Sequence, residues 1–295
     1  MSIVQSTIER LRKVQSQGQR EEPRGAGNVL AGREAAAEAR PPAPTPWRTD
    51  LSVPECTLEK LCAAGLYASN EFVQRVREEY RGIRRQVISA SREKIGTAER
   101  PVGPVVVVTS AMPGDGKSFT AVNLALSIAR EGVRDVLLID ADVVRRTISK
   151  ACGLQNRQGL TELLAGKSAG FRDYSFTTGV SRLHVLPAGD PEGHGTDLFS
   201  SARVGPLFES LRSAMADGFV IVDTPPILMS NDTAVMTDLA GQVLLVVRAG
   251  TTMQDLTLEA VGRVHQGVPI GLVLNGWSPV LPSEKKTYVA YDEYQ

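Results

Sequence analysis

A doubly wound α/β fold, with a mostly parallel sheet and helices on both faces, is predicted by three features of this 295-residue chain. From Pro104 onward, short apolar β-branched runs alternate with stretches of helical periodicity, the pattern of strands buried on both faces and joined by crossover helices. A glycine-rich loop stands between the first of these runs and the helix that follows it. Three carboxylates, Asp140, Asp142 and Asp223, fall at or just beyond the ends of later runs, the edge at which open α/β sheets bind ligands. An N-terminal helical extension and a flexible, tyrosine-rich C-terminal tail are expected to flank this fold.

In chain order, residues 1–17 come first. Val4, Ile8, Leu11 and Val14 fall toward one face of a short amphipathic helix, with Arg10, Arg12 and Lys13 beside them. Such a helix suits a partner or an anionic membrane surface, or else is simply a frayed, solvated helix. Residues 18–56 carry few apolar side chains and include R-P-P-A-P-T-P-W at Arg40–Trp47, which predicts a disordered, partly polyproline linker. The main domain is expected over residues 57–281, beginning with a short helix at Thr57–Gly65 that Gly65 ends. Asn70 is placed to cap a longer helix running to about Ser91. Phe72, Val76, Tyr80, Ile83 and Val87 give that helix an apolar stripe at spacings of three and four. Glu78, Arg81 and Arg84 form an oblique charged row, E-x-x-R-x-x-R, which reads as a solvated face or as one that meets a complementary row on a neighbour.

The first strand is expected at Val105–Val108 and its helix at Thr120–Arg130. Between them lies T-S-A-M-P-G-D-G-K-S-F, Thr109–Phe119. Strand, glycine loop with Gly-Lys-Ser, then helix is the context of a P-loop. Gly114 and Gly116 free backbone N–H groups to close around phosphate oxygens, and the helix N-terminus adds its positive dipole end. Lys117 supplies a point charge for the β- and γ-phosphates, and the Ser118 hydroxyl is suited to Mg²⁺. The first glycine of G-x-x-x-x-G-K-[ST] is replaced by Ala111. The plainer alternative is a glycine turn that opens a helix.

Further strands are expected at Val136–Ile139, Leu183–Leu186, Phe219–Val222, Val243–Val247 and Gly271–Leu274, with helices at Val204–Ala216 and Thr252–His265. The second strand leads into V-L-L-I-D-A-D-V-V-R-R, so Asp140 and Asp142 stand at the ligand edge next in chain order after the loop. Phe219–Pro226 reads F-V-I-V-D-T-P-P, and Asp223 matches a Walker B aspartate, which holds Mg²⁺ directly or through water. Asn275 follows the last strand. Its amide is suited to hydrogen-bond a purine base, and Asn-Gly is equally a turn-forming pair. In the tail, residues 282–295, Tyr288, Tyr291 and Tyr294 recur every third residue in a polar context. They read as acceptor hydroxyls or as incidental residues of a disordered tail.

Composition narrows the function classes. With 33 basic and 33 acidic residues, nothing points to nucleic acid. No apolar run approaches the ~20 residues needed to cross a bilayer, and Arg10, Arg12 and Lys13 break up any signal-peptide core. Cys56, Cys62 and Cys152 make neither a disulfide framework nor a metal spacing, and are expected as small apolar filler in a reducing cytosol.

Together, P-G-D-G-K-S, the strand ending in D-A-D with arginine nearby, V-D-T-P-P and the tyrosine tail resemble the bacterial protein-tyrosine kinases, over roughly Leu58 to Gln295. Within that family, the long N-terminal extension is similar to that of soluble autokinases of exosortase-linked exopolysaccharide systems. The resemblance implies ATP and Mg²⁺ as cofactors. Gly114, Asp115, Gly116, Lys117, Ser118 and Phe119 would take the nucleotide, with Asn275 at the base. Ser118, Asp142 and Asp223 would serve the metal. Lys117, Asp140, Asp142 and Asp223 would be catalytic, Asp140 taking the tyrosine proton. Tyr288, Tyr291 and Tyr294 would be the phosphoacceptors. Glu78, Arg81 and Arg84 match the family's subunit-contact motif, which implies a homo-oligomeric ring. A membrane-embedded polysaccharide chain-length regulator is implied as activator, so the protein would be cytoplasmic and recruited to the inner membrane face. Two departures from the family stand out: Val144 where many members have arginine, with Arg145 and Arg146 next to it, and Asp115 in place of glutamate.

The competing reading is a ParA/MinD-like ATPase. Its P-loop normally carries an early second lysine, and that place is Met112 here. An iron–sulfur carrier relative would need cysteines that are absent. A third reading is a non-catalytic ATP-binding scaffold that regulates polysaccharide assembly.

Overall fold

The computed structural model describes residues 47, 56–68, 72–92, 103–167, 170–190 and 198–277, all within one compact unit, Trp47–Gln295. The N-terminal helix, nearly all of the linker, the Asn70 cap and the tyrosine tail lie outside the described residues.

Among the described residues, two helices precede the sheet: α1 (Leu58–Ala63), capped by the Thr57 hydroxyl, and α2 (Phe72–Arg92). Strand and helix then alternate through β1 (Val105–Ser110), α3 (Lys117–Ala129), β2 (Val136–Asp140), α4 (Thr147–Ala151) and α5 (Leu160–Leu164). A 3₁₀ turn (Phe171–Tyr174) leads to β3 (Phe176–Thr177) and β4 (Leu183–Leu186). The chain continues through α6 (Ser201–Ala214), β5 (Phe219–Asp223), α7 (Asn231–Leu239), β6 (Gln242–Arg248), α8 (Gln254–Arg263) and β7 (Ile270–Asn275).

The seven strands lie in the order β3-β4-β2-β5-β1-β6-β7, and all pairs are parallel except β3 with β4. Every residue of β1, β2 and β5 is buried, as expected of strands covered on both faces. One core packs Val106, Val108, Leu138 and Ile221 against α2 and α3. The other packs Val105, Val107, Leu137 and Val220 against α6, α7 and α8. Each such fully buried side chain contributes about 1.5–3 kcal/mol relative to exposure. The stripe on α2 docks as its spacing implies: Val76, Tyr80 and Val87 are buried against α3, and the Tyr80 hydroxyl donates to Thr120 at 3.2 Å.

Three short helices, α4, α5 and α7, and the two-residue β3 escape the sequence pattern, because none spans enough turns or alternations to establish a period. The cysteine expectation is corrected. Cys56 and Cys152, 96 residues apart, form a disulfide with Cα atoms 4.4 Å apart, while Cys62 is a free thiol. The fold brings them together: Cys56 makes a parallel bridge to Thr178 beyond β3, and Cys152 caps α4, against which α1 packs. Trp47 also packs into this unit, stacking on His184 of β4 with ring centroids 3.8 Å apart. Arg172 covers its ring at 4.6 Å. Burial holds His184 down to about 4.

Candidate active site

The site forms where β2, β5, β1 and β6 end side by side. Register places Asp140 opposite Asp223 on the neighbouring strand, and Val108 of β1 opposite Asp223. The loop 111–116 then rises from β1 and turns into α3. Gly116, at the helix N-cap, has φ 95°, and a Cβ there would collide with the Asn275 amide. Glycine is therefore favoured here by conformation, and any side chain would also displace the Asn275 amide from the loop. Ala111, the departure from the motif, is fully buried and has no positive φ, so its backbone makes no demand for glycine.

Lys117, Ser118, Asp140, Asp142 and Asp223 converge and are all buried. The Lys117 ammonium lies 2.9 Å from Asp142 Oδ2 and 3.4 Å from the Ser118 hydroxyl. Asp142 Oδ1 accepts the Arg145 N–H at 3.0 Å. Asp140 Oδ2 accepts both the backbone N–H and the hydroxyl of Ser149, at 2.8 and 2.7 Å. Ser149 in turn accepts the Ala188 N–H, tying β2 to α4 and to the loop after β4. Asp140 Oδ1 and both oxygens of Asp223 are buried without a hydrogen-bond partner among the described residues.

Burial pushes Asp140 up to about 6, against the bonds from Ser149. It pushes Asp223 up to about 7, against the pull of the Lys117 charge. The Ser118 hydroxyl also eases the Asp223 shift, although it stands outside hydrogen-bond geometry. Three carboxylates beside one ammonium make a centre short of positive charge. Buried carboxylate oxygens without partners, next to a serine at a helix N-terminus, fit a divalent cation, which takes one or two carboxylates and completes its shell with substrate phosphates. No group of three or more His, Cys, Asp or Glu able to hold a metal occurs among the described residues, so phosphate oxygens would have to supply the remaining ligands.

The loop is braced from outside by Asn275 and by two groups that the sequence pattern did not single out, Thr252 and Arg248. Asp115 Oδ2 accepts the Met112 N–H, and its Oδ1 accepts the Thr252 hydroxyl at 2.7 Å. Arg248 Nη1 donates to the Gly114 carbonyl at 3.1 Å. The Asn275 amide donates to the Asp115 carbonyl at 2.9 Å, so its nitrogen serves the loop. Arg248 ends β6 and Thr252 follows it, with no motif to mark either, and Ser149 sits on a helix too short to show a period. We expect Thr252→Val to weaken ATP binding roughly tenfold and to lower stability by about 1.5–3 kcal/mol, because one hydrogen bond to a buried charged group is lost. Thr252→Ser should restore the affinity, and a nucleotide titration of the three proteins checks both.

Phe119 lies in the first turn of α3 beside Ser118, and its ring packs toward the core, 6.2 Å from that of Tyr80. Glu78 and Arg81 pair with each other on the exposed face of α2. Arg84 is committed to α3 of the same chain, through the Ser127 carbonyl at 2.8 Å and Glu131 at 3.2 Å. Arg146 has φ 51° and its Nε is buried without a partner among the described residues. Tyr288, Tyr291 and Tyr294 lie outside the described residues.

No family model matches the chain. Among curated proteins, the tyrosine-protein kinase YwqD of Bacillus subtilis (strain 168) is 32% identical over 219 residues, covering 74% of this chain and 88% of that protein. The chain belongs to the bacterial tyrosine-protein kinases. Among solved structures, this kinase chain is similar to the kinase domain of Escherichia coli tyrosine kinase ETK, with 30% identity and a TM-score of 0.59 over 70% of this chain and 77% of that one. The Pyrococcus furiosus cell division ATPase MinD is also similar, at 25% identity and a TM-score of 0.51, covering 60% and 74%. The fold is thus shared with P-loop ATPases as well as with kinases. The place of an early second lysine is held here by Met112, partly exposed beside the loop.

Proposed function

We propose that this kinase transfers the γ-phosphoryl group of ATP to Tyr288, Tyr291 and Tyr294 in the tail of a neighbouring copy within a homo-oligomeric ring. The observation that supports it is the Lys117–Asp142 pair set against the unpartnered oxygens of Asp140 and Asp223. Residues 57–281 would form the kinase domain. Backbone N–H groups from Gly114 to Phe119 would cradle the phosphates, and the Lys117 ammonium would turn from Asp142 to them. Asp142 Oδ2 is then released and, with Ser118 and Asp223, would hold Mg²⁺. The bound ion would neutralise charge on the β- and γ-phosphates. Ser149 keeps Asp140 Oδ2 fixed, and the unpartnered Oδ1 would accept the phenol proton. A raised proton affinity suits a base working near neutral pH.

We further infer a role in regulating exopolysaccharide synthesis and export, a membrane-embedded chain-length regulator as activator, and a cytoplasmic location beside it. No helix among the described residues is long and apolar enough to cross a membrane. Intact-mass spectrometry after ATP and Mg²⁺ tests the central reading. Multiple added phosphates are expected on the native chain, and none on Tyr288→Phe/Tyr291→Phe/Tyr294→Phe, with ATP binding unchanged. Undiminished phosphorylation of the triple variant would refute the tail as acceptor.

A further inference from the structure

A cavity of about 320 Å³ opens between α2 and α3, away from the P-loop. Its walls carry four guanidinium groups, Arg77, Arg81, Arg84 and Arg130, and one carboxylate, Glu131. Glu131 is taken by Arg84 and Arg134, and Arg81 pairs with Glu78. Arg77 and Arg130 have no carboxylate partner among the described residues. Both converge on one neutral atom, the hydroxyl oxygen of buried Tyr67, with Arg77 Nε at 3.2 Å and Arg130 Nη1 at 2.9 Å. Each guanidinium has five N–H donors and no acceptor. The Tyr67 oxygen accepts both bonds, and among the described residues its own proton goes to no acceptor.

Donors thus surround this pocket, and what it lacks is an acceptor with negative charge. Planar guanidinium forks match phosphate oxygens in charge and geometry. We propose that the α2–α3 groove is a second anion site that binds the dianion of a phosphate monoester or inorganic phosphate, through Arg77, Arg130 and the Tyr67 hydroxyl. The same chemistry would come from a phosphotyrosyl side chain or from free phosphate.

The test uses the full chain, dephosphorylated and saturated with ADP so that the P-loop is filled. Inorganic phosphate and N-acetylphosphotyrosine amide are titrated separately by calorimetry. One site per chain is expected. Arg77→Gln and Arg130→Gln should each weaken it by about tenfold or more, as loss of a charge-assisted bond implies. Tyr67→Phe, which keeps the packing and removes one donor, should weaken it by roughly threefold to tenfold, and ADP affinity should stay within about twofold throughout. Binding of both probes identifies a site for the phosphate group alone. Binding of phosphotyrosine only identifies a phosphorylated chain as the source. Either outcome supports the site. Failure of both probes to bind the ADP-saturated native chain, or affinities unmoved by all three substitutions, would overturn it.

Discussion

Lys117→Met is expected to abolish tyrosine phosphorylation and to destabilise the fold at the same time. The ammonium supplies positive charge where phosphate charge builds up, so its removal should lower the rate by at least about 10³-fold. The effect on stability has a separate cause. Asp142 is buried and its Oδ2 is held by Lys117 at 2.9 Å. Without that partner its carboxylate keeps, among the described residues, only the bond from the Arg145 N–H and faces Asp140 and Asp223 as a third uncompensated carboxylate. Breaking a buried ion pair from one side costs about 3–5 kcal/mol, which in a domain of this size lowers Tm by roughly 6–20 °C. Intact mass and a thermal scan read the two effects separately. A variant that loses phosphorylation with no change in Tm would show that Asp142 does not depend on the ammonium.

Asp223→Asn should eliminate activity with the opposite effect on stability. Burial raises the folded-state pKa of Asp140 to about 6 and of Asp223 to about 7, above the ordinary carboxylate value near 4. A group raised in this way favours the native state fully below its unfolded pKa, and that contribution is lost as pH rises through the folded value. The metal-free protein should therefore lose stability between about pH 4 and pH 7. At pH 8 the carboxylates of Asp140 and Asp223 are both charged, side by side in a buried centre. Asparagine at 223 removes one charge while nearly keeping the shape. It should raise stability at pH 8 in the presence of a chelator by an amount on the order of a few kcal/mol, seen as a higher Tm, with no gain at pH 4. Activity should fall by at least about 100-fold. Equal Tm shifts at the two pH values would contradict the assignment of the pH dependence to this carboxylate.

The strands and the P-loop were legible in the sequence because their signals are local. Val105–Val108 and Phe219–Val222 are runs with no polar interruption, and each strand end lies within a residue or two of the apolar limit. The three carboxylates were legible for the same reason, since an acidic residue closing an apolar strand stands out. The partners were not. Ser149 reaches Asp140 from nine residues away, and Thr252 reaches Asp115 from 137 residues away, distances over which no periodicity extends. The Cys56–Cys152 bond belongs to the same class, since it depends on where β3 and α4 come to lie. Arg84 belongs to this class too: its spacing left open a solvated face or a neighbour, and its bonds within the chain reach Ser127 and Glu131, more than forty residues away.

The strand order carries a consequence for how the protein comes into being on the ribosome. β1 has both of its neighbours far downstream, Val105 pairing with Val220 and Val106 with Gln242. The P-loop therefore emerges from the exit tunnel long before the strands that flank it, and the slow step is closure of those long segments. A nascent chain that has reached α6 holds Gly114–Ser118 but neither Asp223 nor the Arg248–Thr252 brace. Full affinity for nucleotide is therefore expected only once β6 and Thr252 are in place, so the newborn polypeptide would engage ATP weakly before its sheet is complete.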